Sequence, residues 1–284
     1  AEGDSVTVTG TASEYYCTSC DDGLTQITNV TGVIIHGPAV NMISPAAVTP
    51  GQIMTGGSDA EAYEGCLVKV ENVTVDNDSL GYGEWSASDG TNSMRLDDVW
   101  DYYYYPENGQ SLAEVSGVMT SSYGNMKLLP RLARDIVEAD GDPVRLQRIQ
   151  QVLYSDLIKA GEDAESDISY MYGETVTTRG IVTMPSGLSF AGNGVKFIFA
   201  DVNGGPWSAI LSYDPDSSAF PTLWEGDLIE ATGYIEEYGT GDANMTELFI
   251  TEPINIMNFE QPLPVIDTVQ TGDLRWPTEA EQWG

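Results

Sequence analysis

Few residues of this chain have types and spacing suited to chemistry. Cys17-Thr18-Ser19-Cys20 places two thiols with two residues between them, a pattern that serves a redox pair, half of a metal site or a short disulfide closing a loop. A zinc site would need two further soft ligands, and only Cys66 and the single histidine, His36, remain. Two acidic groups, Asp76-Asn77-Asp78 and Asp97-Asp98 with Asp101, carry hard oxygen ligands of the kind that hold calcium, although neither has the spacing of an EF-hand loop. Catalytic patterns are missing from the sequence. There is no G-x-S-x-G elbow, no phosphate-cradling Walker sequence and no Rossmann glycine pattern, and one histidine leaves little room for a Ser-His-Asp constellation. His36 follows a strand-like run, Val33-Ile34-Ile35, and precedes Gly37-Pro38, where a structural role is expected. The expectation is therefore a chain with no catalytic residues and no cofactor, calcium excepted.

The elements that must position these residues are announced by a repeat. Glu2-Gly3-Asp4 opens a segment, EGDSVTVTGTASEYY, that returns at Glu225 as EGDLIEATGYIEEYG, at an offset of 223 residues. The likeness continues through two proline-containing linkers to Asp59-Ala60-Glu61-Ala62-Tyr63 in the first copy and Thr278-Glu279-Ala280-Glu281-Gln282-Trp283 in the second. Self-similarity of this kind identifies the building unit before its details. The chain reads as a window cut from a longer array, opening inside one unit and closing at a unit boundary. The cysteine pair lies in an insertion that the second copy replaces with Gly239-Thr240-Gly241-Asp242, so Cys17 and Cys20 are read as a disulfide pinning a hairpin tip. Cys66 opens a valine-rich strand and is read as a small buried hydrophobe.

Period-two runs rich in β-branched residues dominate. Leu67 to Val75, Glu84 to Ser88, Ser93 to Asp97, Ala113 to Met119 and Met126 to Pro130 give five short strands; Thr175 to Thr183, Val195 to Ala200, Trp207 to Tyr213, Leu228 to Glu236 and Glu247 to Thr251 give five more. Glycines fall inside the first or fourth strand of a set, at Gly10, Gly117, Gly180 and Gly233, where a strand coiling around a barrel corner has no room for a side chain. The predicted fold is all-β: tandem five-stranded Greek-key barrels with one linking helix. Residues 1–64 form the C-terminal half of a unit plus a linker, 65–140 a barrel, 141–166 a helical linker, 167–258 a second barrel and 259–284 a C-terminal linker. The helix is read from Asp142-Pro143, a closing Gly161 and Leu146, Ile149, Leu153 and Leu157 at helical spacing.

These residues resemble a known family. Glu2 to Tyr16, followed after the insertion by Gly23-Leu24-Thr25-Gln26-Ile27, is similar to the fourth and fifth strands of the OB-fold domains attached to secreted bacterial nucleases of the YhcR type. Gly173 to Thr183 resembles the first strand of the same domain, and Gly226-Asp227 and Tyr238 repeat the pattern. The resemblance covers residues 2–35 and about 172–256 well and 66–137 more loosely. It implies tandem OB folds of the kind found in multi-domain bacterial surface proteins, with or without a nuclease. The departures are the lack of a nuclease domain, the single histidine and the few basic residues on the expected barrel face.

Charge narrows the partners. There are 44 acidic residues against 11 basic ones, a net charge of −33, and such a field repels phosphate backbones. With 41% hydrophobic residues the chain can build cores, and no apolar run is long enough for a membrane span. Lys127, Arg131, Arg134, Arg145 and Arg148 cluster in sequence; local pairing with Asp135, Glu138, Asp140 and Asp142 is the simpler reading, a docking patch for an acidic neighbour the sharper one. Trp100-Asp101-Tyr102-Tyr103-Tyr104-Tyr105, Tyr15-Tyr16 and Trp283 could stack bases or sugars, but without a basic groove they are read as packing between barrels or subunits, with Tyr15, Tyr16 and Trp283 at an assembly joint. Asn-x-Ser/Thr sequons at Asn29, Asn72, Asn77 and Asn244 are compatible with export. The sequence therefore points to a non-enzymatic extracellular or cell-surface protein that self-associates head to tail into a filament or layer. The competing class is a ligand- or nucleic-acid-binding accessory region of a secreted nuclease-like enzyme.

Overall fold

The computed structural model describes residues 3–16, 23–40, 43–152, 168–239 and 244–274. It is all-β, as the alternation predicts, and falls into two units. The first comprises residues 1–101, 106–131 and 135–140, and the second residues 102–105, 132–134 and 141–284.

The first unit begins with a long hairpin, β1 (Asp4–Tyr16) and β2 (Gly23–Pro38), which forms a two-stranded sheet of its own. A short leader follows: β3 (Ala46–Ala47), the single-turn helix α1 (Pro50–Ile53) and a 3-10 turn at Glu61–Tyr63. The barrel strands are β4 (Leu67–Gly81), β5 (Glu84–Ser88), β6 (Ser93–Leu96), β7 (Ser111–Ser122) and β8 (Asn125–Leu129), with β9 (Ile136–Glu138) as an added edge. Sheet order is β3-β4-β5-β6-β8-β7-β9, and β4 also pairs with β7. Taken by barrel strand the path is first, second, third, fifth, fourth and back to first, with the third and fifth parallel at Arg95↔Lys127. That is the closed Greek-key path of an OB-type barrel. Inward positions alternate along the strands: Val68, Val70, Trp85, Leu96 and Val115 are each at most 2% exposed.

The second unit repeats the path. Its strands are β10 (Thr175–Ala191), β11 (Gly194–Ala200), β12 (Ala209–Asp214), β13 (Leu228–Gly239) and β14 (Asn244–Ile250), with β15 (Asn255–Asn258) at the edge. Order is β10-β11-β12-β14-β13-β15, closed by β10 with β13. Phe197, Phe199, Ile229, Ile235 and Leu248 fill this core at 0% exposure, each contributing on the order of 1.5–3 kcal/mol by leaving water. Every predicted barrel strand is found, several of them longer than the alternation alone showed: β4 and β10 run on past the predicted ends into exposed arms. The four corner glycines do what was expected of them. A Cβ at Gly117, Gly180 or Gly233 would run into the carbonyl oxygen of Leu129, Ala200 or Phe249. Gly10 meets Ile27 and the Thr28 carbonyl in the same manner.

The linking helix is shorter than predicted. Helix α2 spans Leu146–Gln150, and Gln151 is already extended; residues 153–167 lie outside the described residues. Tertiary packing overrides the helical spacing. Leu146 and Ile149 plug the second barrel's core, whereas Val152 leaves the helix axis to join Trp207, Tyr103 and Tyr170 in a small cluster of its own, and Gln151 Oε1 accepts the Ala133 amide at 2.7 Å. Among the described residues no helix is long and apolar enough to cross a membrane.

Candidate functional site

Hairpin β1–β2 and the strand set β13–β14–β15 are built to the same register. Ser13 faces Gln26 as Glu236 faces Glu247, Ala12 faces Ile27 as Ile235 faces Leu248, and Thr11 faces Thr28 as Tyr234 faces Phe249. Further along, Val6 faces Ile35 as Ile229 faces Ile256, with a register shift just before each pair. One side-chain bond is reproduced too. The Thr25 hydroxyl donates to Glu14 Oε1 at 2.8 Å, and the Thr246 hydroxyl donates to Glu237 Oε1 at 3.0 Å. The repeat seen in sequence is thus a repeat of strand pairing, down to a hydrogen bond.

Burial separates the two copies. Ile229, Ala231, Ile235 and Leu248 are fully buried, while their counterparts Val6, Val8 and Ile27 are 52%, 39% and 54% exposed and Ala12 is exposed as well. Ile34 and Ile35 are exposed on the same hairpin. β13 has β10 along one edge and β14 and β15 along the other, and β14 has β12 beyond it. β1 pairs with β2, and no other strand joins this sheet among the described residues. Apolar side chains and two strand edges are therefore exposed together on this hairpin among the described residues. Tyr15 and Tyr16, on opposite faces of β1, are 59% and 64% exposed. Trp283 lies outside the described residues, as do Cys17 and Cys20. His36 Nε2 lies 2.8 Å from the Thr7 hydroxyl across the hairpin.

The structure does not assemble the acidic residues into a metal centre. Among the described residues no group of three His, Cys, Asp or Glu side chains is placed to hold a cation. Asp76 accepts from the Ser86 hydroxyl at 2.5 Å, Asp78 is held through its backbone amide by Asn108, and Asp97 is an ion-pair partner of Lys127. Asp98 and Asp101 sit beside Asp97; burial and the repulsion of Asp97 and Asp101 hold the Asp98 carboxyl above its usual range. Cys66 is exposed and unpaired with another thiol, which corrects the expectation of a buried residue. Its position just before β4, on the turn closed by the Cys66 amide to the Tyr63 carbonyl, leaves the side chain outside the barrel.

Sequence reasoning missed two features. Lys127 is 2% exposed on β8, its ammonium between Glu84 Oε1 at 2.6 Å and Asp97 Oδ2 at 2.8 Å, while Arg95 pairs with the other Glu84 oxygen. Burial works against the charged ammonium, but the two carboxylates outweigh it and raise its pKa. For Glu84 burial likewise opposes ionisation, and Lys127 and Arg95 outweigh it to lower the pKa. This cluster links β5, β6 and β8, and the cost of desolvating its charges offsets much of their attraction. Of the other basic residues in that sequence cluster, Arg131 is bidentate to Asp135, Arg134 stacks on Tyr170 at 4.1 Å, and Arg145 reaches Asp201 at 3.5 Å. The second feature is an aromatic strip on the outer face of the second barrel. Phe249 stacks on Tyr234 at 4.7 Å and meets Tyr213 edge-on at 5.6 Å, while Lys196 lies over the Tyr238 ring at 4.6 Å. Period-two alternation contains this strip, but nothing in sequence aligns three strands side by side. The tyrosine run 102–105 belongs with the second unit; Tyr102 and Tyr104 are 1% and 4% exposed and so are not open stacking platforms.

No protein-family model and no curated protein sequence matches the chain. Solved structures do. OBody NL8 bound to hen egg-white lysozyme is 23% identical over 30% of this chain and 96% of its own, with a TM-score of 0.23. A tetrameric p202 HIN2 domain is 10% identical over 69% and 95%, with a TM-score of 0.26. A murine DNA-binding protein bound to double-stranded DNA is 12% identical over 71% and 99%, with a TM-score of 0.25. These neighbours are OB-fold-like and HIN domains. The barrel topology rests on the strand pairings above.

Proposed function

We propose that this chain is a non-enzymatic structural protein of the cell exterior, an array of OB-like barrels that assembles head to tail into a filament or surface layer. The observation that supports this most is the β1–β2 hairpin. It carries the register of a fourth and fifth barrel strand, yet leaves exposed the positions that β13 and β14 bury. A two-stranded ribbon of this kind is marginal by itself in water, so a covering partner is favoured. A contact in which the start of one copy meets the end of another is heterologous and propagates unless the rotation closes a ring. The net charge of −33 keeps such a protein soluble and discourages unspecific association, leaving uncharged surfaces to direct contact. The acidic composition and the sequons agree with an extracellular setting, as does the resemblance to the YhcR-type OB folds of surface proteins.

Electron microscopy of the purified protein tests this reading. Filaments or sheets are expected, and deletion of residues 1–16 should abolish them while both barrels stay folded. Uniform monomers at all concentrations would refute it.

The aromatic strip with Lys196 supports the second reading, a ligand-binding accessory region, because stacking platforms beside a cation are what single-stranded nucleic acids use. Against it stands the overall field. An anisotropy titration with single-stranded DNA at about 150 mM salt separates the two: weak or no binding is expected, since on the order of ten cations cannot offset the acidic excess. Sub-micromolar binding would favour the accessory-region reading.

A further inference from the structure

The buried lysine of the first barrel is arranged for a reaction within the chain. Of the three lysines among the described residues, Lys127 alone is buried: its side chain is 2% exposed, against 27% for Lys69 and 18% for Lys196. Its Nζ touches two carboxylates, Glu84 Oε1 on β5 at 2.6 Å and Asp97 Oδ2, just past β6, at 2.8 Å. The two acids are held differently. Glu84 gives its other oxygen to Arg95, which keeps it an anion whatever Lys127 does. Asp97 has no cation but Lys127 among the described residues, and its Oδ1 accepts the Asp98 amide at 2.9 Å. One carboxylate is therefore set up as a base, and the other as an acyl group with a backbone donor on the oxygen that faces away from the amine.

Proximity, polarisation and product fit all favour condensation of the two groups. The Asp97 carbon lies one bond beyond the oxygen that touches Nζ, close to the roughly 3–3.5 Å of a near-attack geometry. A donor on the carbonyl oxygen supports the charge that develops there when an amine adds. Burial works against charge on both Lys127 and Glu84, and a buried lysine that releases its proton is a nucleophile. The amide product would leave nothing orphaned. Its carbonyl oxygen keeps the Asp98 amide, its N–H donates to Glu84, and Glu84 keeps Arg95. Two charges leave the interior as an amide forms, which removes their desolvation cost and also the Asp97 charge that repels Asp98.

We propose that Lys127 Nζ and Asp97 Cγ join in an amide bond within the chain, formed by the folded first barrel itself with Glu84 as proton shuttle. A proton passes from Nζ to Asp97 Oδ2, and the free amine adds to Cγ. Glu84 Oε1 then takes a second proton from the nitrogen and hands it to Oδ2, the Cγ–Oδ2 bond breaks, and one water leaves. Ammonium and carboxylate become amide and water, with no oxidant, metal or cofactor required. This is a single event on the chain and not turnover, and it stands apart from the assembly reading. The bond ties β8 to the end of β6, the parallel pair at which the third and fifth barrel strands meet. The second barrel supplies a control: Lys196 is partly exposed and meets one carboxylate, Glu247, at 3.7 Å, so no link is expected there.

Mass spectrometry of the full chain, purified and then denatured, tests this. The intact mass should lie one water below that of the sequence, and trypsin should fail to cut after Lys127 and release a branched peptide joining the Lys127 and Asp97 segments. Lys69 and Lys196 should stay free. Glu84→Gln keeps the size of the side chain and removes the base, so it should slow the bond by about a hundredfold or more, read as full-mass protein that loses water only on long incubation. Parent protein that keeps the full sequence mass after prolonged incubation at mildly acidic and mildly alkaline pH would show an ion cluster only and overturn the proposal; this measurement needs no variant to fold. Loss of a water without the branched peptide, as from cyclisation at Asp89-Gly90, would overturn it equally. A branched peptide through Glu84, or a Glu84→Gln protein that links as fast as the parent, would overturn the roles given to Asp97 and Glu84.

Discussion

Hairpin β1–β2 and the set β13–β14–β15 share register, bulge, corner glycine and a threonine–glutamate bond, yet one is a core and the other a surface. The difference shows that local pairing and burial are separately encoded. Alternation and turn chemistry fix which residues face each other, while burial depends on strands elsewhere, here β10 and β12, that supply the opposite wall. Two copies with one register and two environments also form an internal control, because the same substitution can be made in both and only the environment differs.

The largest contrast is expected from cavity-forming changes. Leu248→Ala should cost the second barrel about 2–5 kcal/mol, because Leu248 is 0% exposed and its neighbours cannot fully collapse. Ile27→Ala, at the counterpart position, should change monomer stability by no more than about 0.5 kcal/mol, since the side chain is already half in water. Assembly should respond in the opposite order, with Ile27→Ala weakening it. Hydrogen exchange of the β13–β14 and β1–β2 amides, with light scattering for assembly, reads both. Equal stability losses would mean that the hairpin is covered within the monomer.

Next come the corner glycines. Gly233→Ala pushes a methyl group into the Phe249 carbonyl inside a closed barrel, which has no slack, and should cost about 1–3 kcal/mol. Gly10→Ala meets the Ile27 side chain and the Thr28 carbonyl in an isolated ribbon that can flatten, and should cost less, measured by the same exchange experiment.

How much of this was legible in sequence follows from which forces are local. The five strands of each barrel, the repeat and the corner glycines were readable, because period-two alternation and a missing side chain at a bend are properties of one strand. The Leu146 to Leu157 pattern misled: its spacing is helical, but Leu146 and Ile149 are claimed by a barrel core and Val152 by Trp207, so the helix ends at Gln150. Lys127 between Glu84 and Asp97 was invisible, since its partners come from two other strands and parallel pairing of β6 with β8 brings them together. The acidic groups proposed for calcium were legible as charges but not as geometry, because Asp97 is taken by Lys127 and Asp76 by Ser86.

A pH experiment exploits a charge difference in the paired register, Glu247 against Gln26. Burial raises the pKa of Glu247, with Lys196 at 3.7 Å opposing and Glu236 adding to the rise. A carboxyl whose folded pKa is raised stabilises the fold below its unfolded pKa, and that contribution is lost as pH rises through the folded value. Glu247→Gln, which makes the second copy resemble the first, should therefore remove a fall in second-barrel stability on going from about pH 4 to pH 7. Glu84 in the first barrel has the opposite sign: its pKa is lowered, so its contribution is present at neutral pH and lost on acidification. Denaturant unfolding across that pH range, with hydrogen exchange to assign each barrel, should show the two slopes diverge in the parent and the second flatten in the variant.

The smallest expected effect is the most direct test of the repeat. Thr246→Ala removes the hydroxyl donated to Glu237, in a site where Thr246 is 9% exposed, and Glu237 keeps the Ser169 amide as a second donor at 2.9 Å. The loss should be about 1 kcal/mol, the net value of one partly buried hydrogen bond. Thr25→Ala removes the same bond to Glu14 on an exposed ribbon, where water replaces the donor and the cost falls near zero. If the hairpin is covered in the assembled state, Thr25→Ala should approach the cost of Thr246→Ala there and only there, seen as slower exchange in parent filaments that the variant loses. A Thr25→Ala cost of about 1 kcal/mol already present in the monomer would show that exposure is not what separates the two copies.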